Sequence, residues 1–268
     1  MRTVKELMEL RGRSAIVTGG AGHIGLAICE TLMELGANVA VLDIDEEACN
    51  RRCEDLNKYG YDSRAIASSV DLSDIDMTRR TIEKTANKLG SLDIIIHSAA
   101  FVGTTKYPGW AVPFETQSIE AWDTAMRVNL SSVFIIAQAA QKAMSVSGNA
   151  SIILISSIYG MVGPDNRIYE GTEMVTPAAY AASKGGIIQM TKYLGTILAP
   201  RIRVNCITAG GVERGQAISF KDRYIKKTPL NRMAVEEDFK GAIAYLASGL
   251  SSYVTGTNLI VDGGWTAW

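Results

Sequence analysis

Two histidines in 268 residues are too few for a histidine-based metal site. Cys29, Cys49, Cys53 and Cys206 form no close ligand cluster either. Cys49 and Cys53 stand four apart, on one face of a helix, but no second pair accompanies them. All four therefore read as reduced packing or surface residues of a cytoplasmic protein, and no metal is expected. Charge of one sign is lacking too. A net charge of −1 leaves no basic surface of the kind non-specific nucleic-acid binding requires. No 18-residue apolar run spans a membrane, and residues 1–13 are charged rather than signal-like. No repeat, linker or low-complexity segment divides the chain. At 47% hydrophobic it can bury one large core, so a single domain over residues 1–268 is expected.

Short apolar, β-branched runs alternate with longer helical patterns. Residues 14–18, 39–43, 64–67, 94–97, 151–156, 203–207 and 258–261 read as strands. Helices are expected near 24–35, 45–58, 74–89, 118–145, 178–199 and 235–248. The strands are continuously apolar, as when helices cover both faces of a parallel sheet. The expected fold is α/β, a Rossmann-type doubly wound parallel sheet of about seven strands. Three stretches, 101–117, 157–177 and 209–234, are too long for plain connections. Each follows a strand's C-terminal end, the edge where open α/β sheets bind ligands.

The first strand runs into Thr18-Gly19-Gly20-Ala21-Gly22-His23-Ile24-Gly25 and then a helix. Glycines there let backbone approach a pyrophosphate, and the helix N-terminus offers unpaired N–H groups. The next strand ends on Asp43, placed to accept from a ribose 2′-hydroxyl and to repel a 2′-phosphate. Its competing use is as N-cap of the following helix. Ile44, Gly20 and Ala21 supply no arginine for such a phosphate, so NAD is expected rather than NADP. Further on, Tyr180 and Lys184 stand four apart on one helical face, where an ammonium beside a phenol would favour phenolate.

These features together resemble the short-chain dehydrogenase/reductase family over nearly the whole chain. Thr18, Gly19 and Gly25 match its TGxxxGxG loop. His23 stands where the middle glycine usually does, and Gly22 one position earlier supplies flexibility. Asp71-Leu72 resembles the acidic–hydrophobic pair that lies against adenine. His97-Ser98-Ala99-Ala100 keeps only Ala99 of the family's Asn-Asn-Ala-Gly. Tyr253-Val254-Thr255-Gly256 and Val261-Asp262-Gly263-Gly264 resemble its C-terminal signature. The resemblance implies that Asn129 holds a proton-relay water and Ser157 binds the substrate oxygen. It further implies that Tyr180 is the acid/base, with Lys184 lowering its pKa and holding the nicotinamide ribose. Gly210 and Val212 fit the family's nicotinamide loop, but Arg214 occupies its usual threonine position and points to cofactor phosphate or to substrate. Relatives in this family pair the helices near 118–145 and 178–199 into homodimers or homotetramers; Ala137, Ala139, Ala140, Ala181, Ala182, Gly185 and Gly186 are small enough for such approach, or for close packing within the monomer.

Twenty-two residues separate Ser157 from Tyr180, roughly ten more than usual in the family. The insertion carries Tyr159, Asp165, Asn166, Arg167, Tyr169, Glu170 and Thr172, groups that suit a polyol or sugar. Arg167 and Glu170 are the best candidates for direct contact. The basic run Lys221, Arg223, Lys226, Lys227 and Arg232 suits a phosphate or a solvated helix face. Residues 156–180 resemble short-chain dehydrogenases of flagellin-modification and legionaminic-acid-like sugar pathways. That implies a sugar, sugar-phosphate or nucleotide-sugar substrate. The alternatives are a 3-oxoacyl-carrier reductase and a dinucleotide-binding sensor without turnover.

Overall fold

In the computed structural model, which describes residues 1–102 and 105–268, seven strands form one sheet. They are Ser14–Thr18 (β1), Asn38–Asp43 (β2), Ala65–Ser69 (β3), Ile94–His97 (β4), Ala150–Ser157 (β5), Ile202–Ala209 (β6) and Asn258–Val261 (β7). Every pairing is parallel, in the order β3-β2-β1-β4-β5-β6-β7. All strand C-termini therefore share one edge, and the order reverses between β1 and β4, where α/β sheets bind ligands.

Every residue of β1, β4, β5 and β6 is buried, because both faces carry helices. Ala15 and Val17 point into one core with His23–Glu34 (α2), Glu46–Lys58 (α3) and Lys240–Ala247 (α9). Ile16 points into the other, with Ile75–Leu89 (α4), Ser132–Met144 (α6) and Ala178–Ile197 (α7). Cys29, Cys49 and Cys53 pack in the first core and Cys206 in the second. No helix of the described residues is long and apolar enough to cross a membrane.

The expected helix over 118–145 is three pieces: Ile119–Met126 (α5), a wide π-turn over Arg127–Ser131, and α6. The expected helix at 235–248 starts as a 3-10 turn, Glu236–Phe239, before α9. Two helices stand where none was expected. Val4–Met8 (α1) is closed by a Thr3–Glu6 capping box, and Ile218–Lys227 (α8) lies inside the loop after β6.

Candidate active site

The turn after β1 is built around close backbone contact. Gly19 has φ +67°, and a Cβ there would lie 2.6 Å from the Ala99 nitrogen. A Cβ on Gly25 would lie 1.9 Å from the Gly19 carbonyl oxygen. Gly22 caps α2 with φ −78° and no side chain, so the left-handed position belongs to Gly19 and Gly22 leaves the first-turn N–H groups open. His23 fits in place of a glycine because its side chain points outward and is 67% exposed. Ile24 is half-buried against the first core. This cradle fits a diphosphate.

Asp43 ends β2 at the ligand edge, its Oδ1 accepting from Ile44 N at 2.8 Å. The N-cap of α3 is Asp45, which accepts from Ala48 N, so the competing use of Asp43 falls away. Asp71 Oδ1 accepts both the N–H and the O–H of Ser73, at 2.8 and 2.7 Å, and Leu72 is buried beside it. One basic group escaped sequence reasoning. Arg52, from α3, donates to the Ala21 carbonyl at 3.4 Å, and its Nε is buried without a partner. Only the crossing of α3 over the glycine turn brings it there.

Ser157 ends β5, and α7 is fastened against that end. Ser156 Oγ donates to the Lys184 carbonyl at 2.8 Å, and a Cβ on Gly160 would lie 2.6 Å from the same oxygen. Gln117 Oε1 accepts from Ala178 N at 3.0 Å, supplying the cap that Pro177 lacks. Ser157 and Tyr180 thus face each other. Burial pushes the Tyr180 phenol above its usual pKa, while the Ser157 hydroxyl and then the Arg214 charge oppose that rise.

Lys184 is buried, donates from Nζ to the Ile155 carbonyl at 2.8 Å, and lies 5.7 Å from the Tyr180 ring centre. Burial lowers its pKa to about 8. The Lys184 ammonium is thus engaged by the strand carbonyl while lying over the Tyr180 ring.

Asn129 sits fully buried in the π-turn, and its amide is committed. Oδ1 accepts from Phe101 N at 2.6 Å, and Nδ2 donates to Phe101 O at 3.4 Å and Ser183 Oγ at 3.0 Å. Phe101 stacks edge-on to Trp110, and both belong to the apolar cluster against which Tyr180 packs. The side chain thus fixes a pocket wall, and a relay water would have to use its backbone. His97 was also missed as a site residue. Its Nδ1 lies 2.9 Å from Thr18 Oγ1 and its Nε2 3.4 Å from Ser132 Oγ. Burial, then the Lys184 charge, push its pKa down to about 3, so it ties the glycine turn to α6 as a neutral ring.

The insertion turns inward with aromatic groups and outward with charge. Tyr159 N donates to Ser157 Oγ at 3.3 Å. The Tyr159 and Tyr169 hydroxyls bond each other, and Tyr169 also bonds Thr176. Both pack with Phe220, Tyr224 and Trp265. Arg167 is 82% exposed and held by Asp165 at 2.8 and 2.9 Å. Glu170 is exposed, and its carbonyl accepts from Arg223. Asp165 and α8 thus hold the two charged residues expected to touch substrate on the exposed side of the loop. The basic run is largely matched: Lys221 pairs with Glu213, Lys227 with Asp165 and Arg232 with Asp238.

Gly210 N donates to Val261 O at 2.9 Å, and Val212 bridges Ala234. Gly211 N donates to the Tyr224 hydroxyl, which pins α8 to this segment. Arg214 follows, with Nε 3.6 Å from Glu236 Oε1. The strand C-terminal edge therefore gathers an anion cradle, a carboxylate at the end of β2, a serine hydroxyl and a phenol, and a buried amine. That set can orient a dinucleotide and move a proton at an adjacent oxygen.

A family model described as enoyl-(acyl carrier protein) reductase matches residues 19–266. The 3-oxoacyl-[acyl-carrier-protein] reductase FabG of Chlamydia muridarum is 33% identical over 261 residues, 95% of this chain and 98% of that protein. A gluconate 5-dehydrogenase from Burkholderia cenocepacia, solved with NADP and tartrate, superposes with a TM-score of 0.87 at 28% identity, covering 99% and 100% of the two chains. A short chain dehydrogenase from Leptospira borgpetersenii with bound NAD+ gives 0.84 at 32% identity, covering 99% and 96%.

Proposed function

The chain belongs to the short-chain dehydrogenase/reductase family, and on that premise we propose that it is an NAD-dependent oxidoreductase. It interconverts a secondary alcohol and a ketone on a polyhydroxylated substrate, a sugar, sugar phosphate or nucleotide sugar. The observation that carries this reading is the meeting of Ser157, Tyr180 and Lys184 beside the Gly19–Gly25 cradle.

A bound nicotinamide dinucleotide supplies hydride transfer to and from carbon. In the oxidative direction Tyr180, as phenolate, takes the proton of the substrate hydroxyl. Ser157 donates a hydrogen bond to the same oxygen as its charge changes, a preorganised stabilisation. Lys184 and Arg214 favour the phenolate electrostatically, and Lys184 would also hold the nicotinamide ribose. Asn129 fixes the Phe101 backbone in the cluster against which Tyr180 packs.

The carboxylate of Asp43, with Oδ1 engaged only by the Ile44 N–H among the described residues, supports NAD. Arg52, beside Ala21, is the feature that speaks for NADP, which the gluconate 5-dehydrogenase binds. The sugar class is supported by that same neighbour, named for a polyhydroxylated substrate, and by the polar side chains of the 157–177 insertion. The second reading, a 3-oxoacyl-carrier reductase, is favoured by the FabG identity.

One set of assays tests the reading. Initial rates on a panel of nucleotide sugars and sugar phosphates are read from reduced-cofactor absorbance. Rates with NAD should exceed those with NADP about tenfold at subsaturating cofactor, equivalent to roughly 1.4 kcal/mol. Tyr180→Phe should lower kcat at least about 100-fold with NAD affinity nearly unchanged. Retention of a tenth of wild-type kcat would sink the assignment, and turnover only with acyl-carrier thioesters would establish the second reading.

A further inference from the structure

The Glu236 carboxylate joins two parts of the molecule that no family signature connects. Its Oε1 lies 3.7 Å from His23 Nδ1, in the first turn of α2, and 3.6 Å from Arg214 Nε, in the loop after β6. The loop is braced at that point. Arg214 N donates to Gln216 Oε1 at 2.8 Å, and Gln216 Nε2 donates to Val212 O at 2.7 Å. Glu213 N and Ala234 N donate to the Ala234 and Gly211 carbonyls across the bridge. Glu236 thereby links the Arg214 guanidinium to His23, the first residue of α2.

We infer that Arg214 is a ligand of the cofactor pyrophosphate, with Glu236 as the carboxylate that holds its guanidinium until the diphosphate takes its place. The inference rests on the dinucleotide reading above. A guanidinium suits this exchange because one planar fork binds carboxylate or phosphate oxygens in the same geometry. The first turn of α2 supplies the second half of the anion site. Glu236 then keeps a partner, since His23 faces the same oxygen. The other charges around that carboxylate are Arg52 on α3, Glu30 on α2, and Glu237 and Lys240 beside α9. Lys240 is already engaged by Glu30 at 3.4 Å and Glu34 at 2.8 Å.

The test is calorimetric titration with ADP-ribose, which carries the diphosphate, and with adenosine, which does not; neither involves turnover. Arg214→Ala should weaken ADP-ribose at least about tenfold and leave adenosine within about twofold. Glu236→Gln should tighten ADP-ribose about threefold, because a competing negative charge is removed from beside the diphosphate. Unchanged ADP-ribose affinity in Arg214→Ala would overturn the inference, as would an equal loss for both ligands. A Glu236→Gln loss as large as that of Arg214→Ala would overturn the placeholder role. If the wild-type protein binds no ADP-ribose, it is the dinucleotide reading that fails.

Discussion

Lys184 shows how a side chain required at the surface of a site is burdened by its position. It is buried against β5 with its ammonium on one carbonyl, and burial lowers its pKa from 10.5 to about 8. Below pH 8 both folded and unfolded chains carry the charge, and the folded state bears its full desolvation cost. Between about 8 and 10.5 the unfolded chain holds a proton that the folded one has released. This group therefore adds stability as pH rises through that window. Lys184→Met removes the buried charge. We expect the variant to melt above wild type at pH 7, with the gap shrinking from pH 8 toward 10.5, while kcat falls at least about 100-fold. A gap independent of pH, read by thermal melts across that range, would contradict the assignment. The spacing of Tyr180 and Lys184 was legible in the sequence; the direction of the ammonium was not. Four-residue spacing places two side chains on one face, but a strand carbonyl close by redirected one of them.

Among the elements, each strand was readable because both its faces are buried and its apolar residues run without interruption. Boundaries shifted by one or two residues, as at Ala65–Ser69 and Ile202–Ala209. The π-turn at Arg127–Ser131 was not readable, since Asn129 looks like any poor helix former until its amide is seen gripping Phe101. α8 was hidden for a different reason. Its sequence is dominated by charge, its N-cap is Ala217 without a side-chain cap, and it exists because Phe220 and Tyr224 pack on Tyr169 and Trp265. That packing joins the 157–177 insertion to the loop after β6 as one unit, with Asp165 bonded to both Arg167 and Lys227. Asp165 is held well below the usual carboxylate pKa by Arg167 and then Lys227, so the link persists throughout the neutral range. Arg167, on its outer side, should be dispensable. Arg167→Ala is expected to keep kcat/KM within about twofold, whereas Asp165→Ala, which frees α8 as well, should raise substrate KM several-fold. A loss of tenfold or more in Arg167→Ala would return that residue to the pocket wall.

For the whole molecule, the small residues on the long helices no longer argue for assembly. A Cβ on Gly186 would lie 2.6 Å from Leu130 Cδ2, and Ala137 and Ala140 are buried in the core beneath α6. These three are used inside the monomer, whereas Ala182 stays exposed on α7. The argument for assembly rests instead on what stays exposed. Ile119, Trp122, Phe134, Tyr193 and Ile197 leave an apolar surface on α5, α6 and α7, adjoining helices that carry the site. A second apolar group, Leu230, Tyr253, Ile260 and Trp268, is exposed near β7, the strand at one edge of the sheet. Two separate apolar faces on one chain suit two different two-fold contacts, and two such axes generate a tetramer. We expect light scattering at micromolar concentration to report a tetramer. Phe134→Glu with Tyr193→Glu should reduce it to a dimer held by the β7 side, since charge placed in an apolar contact is left without a partner. A wild-type monomer would refute assembly. A double variant that remains tetrameric would show that the α6–α7 face is not one of its contacts.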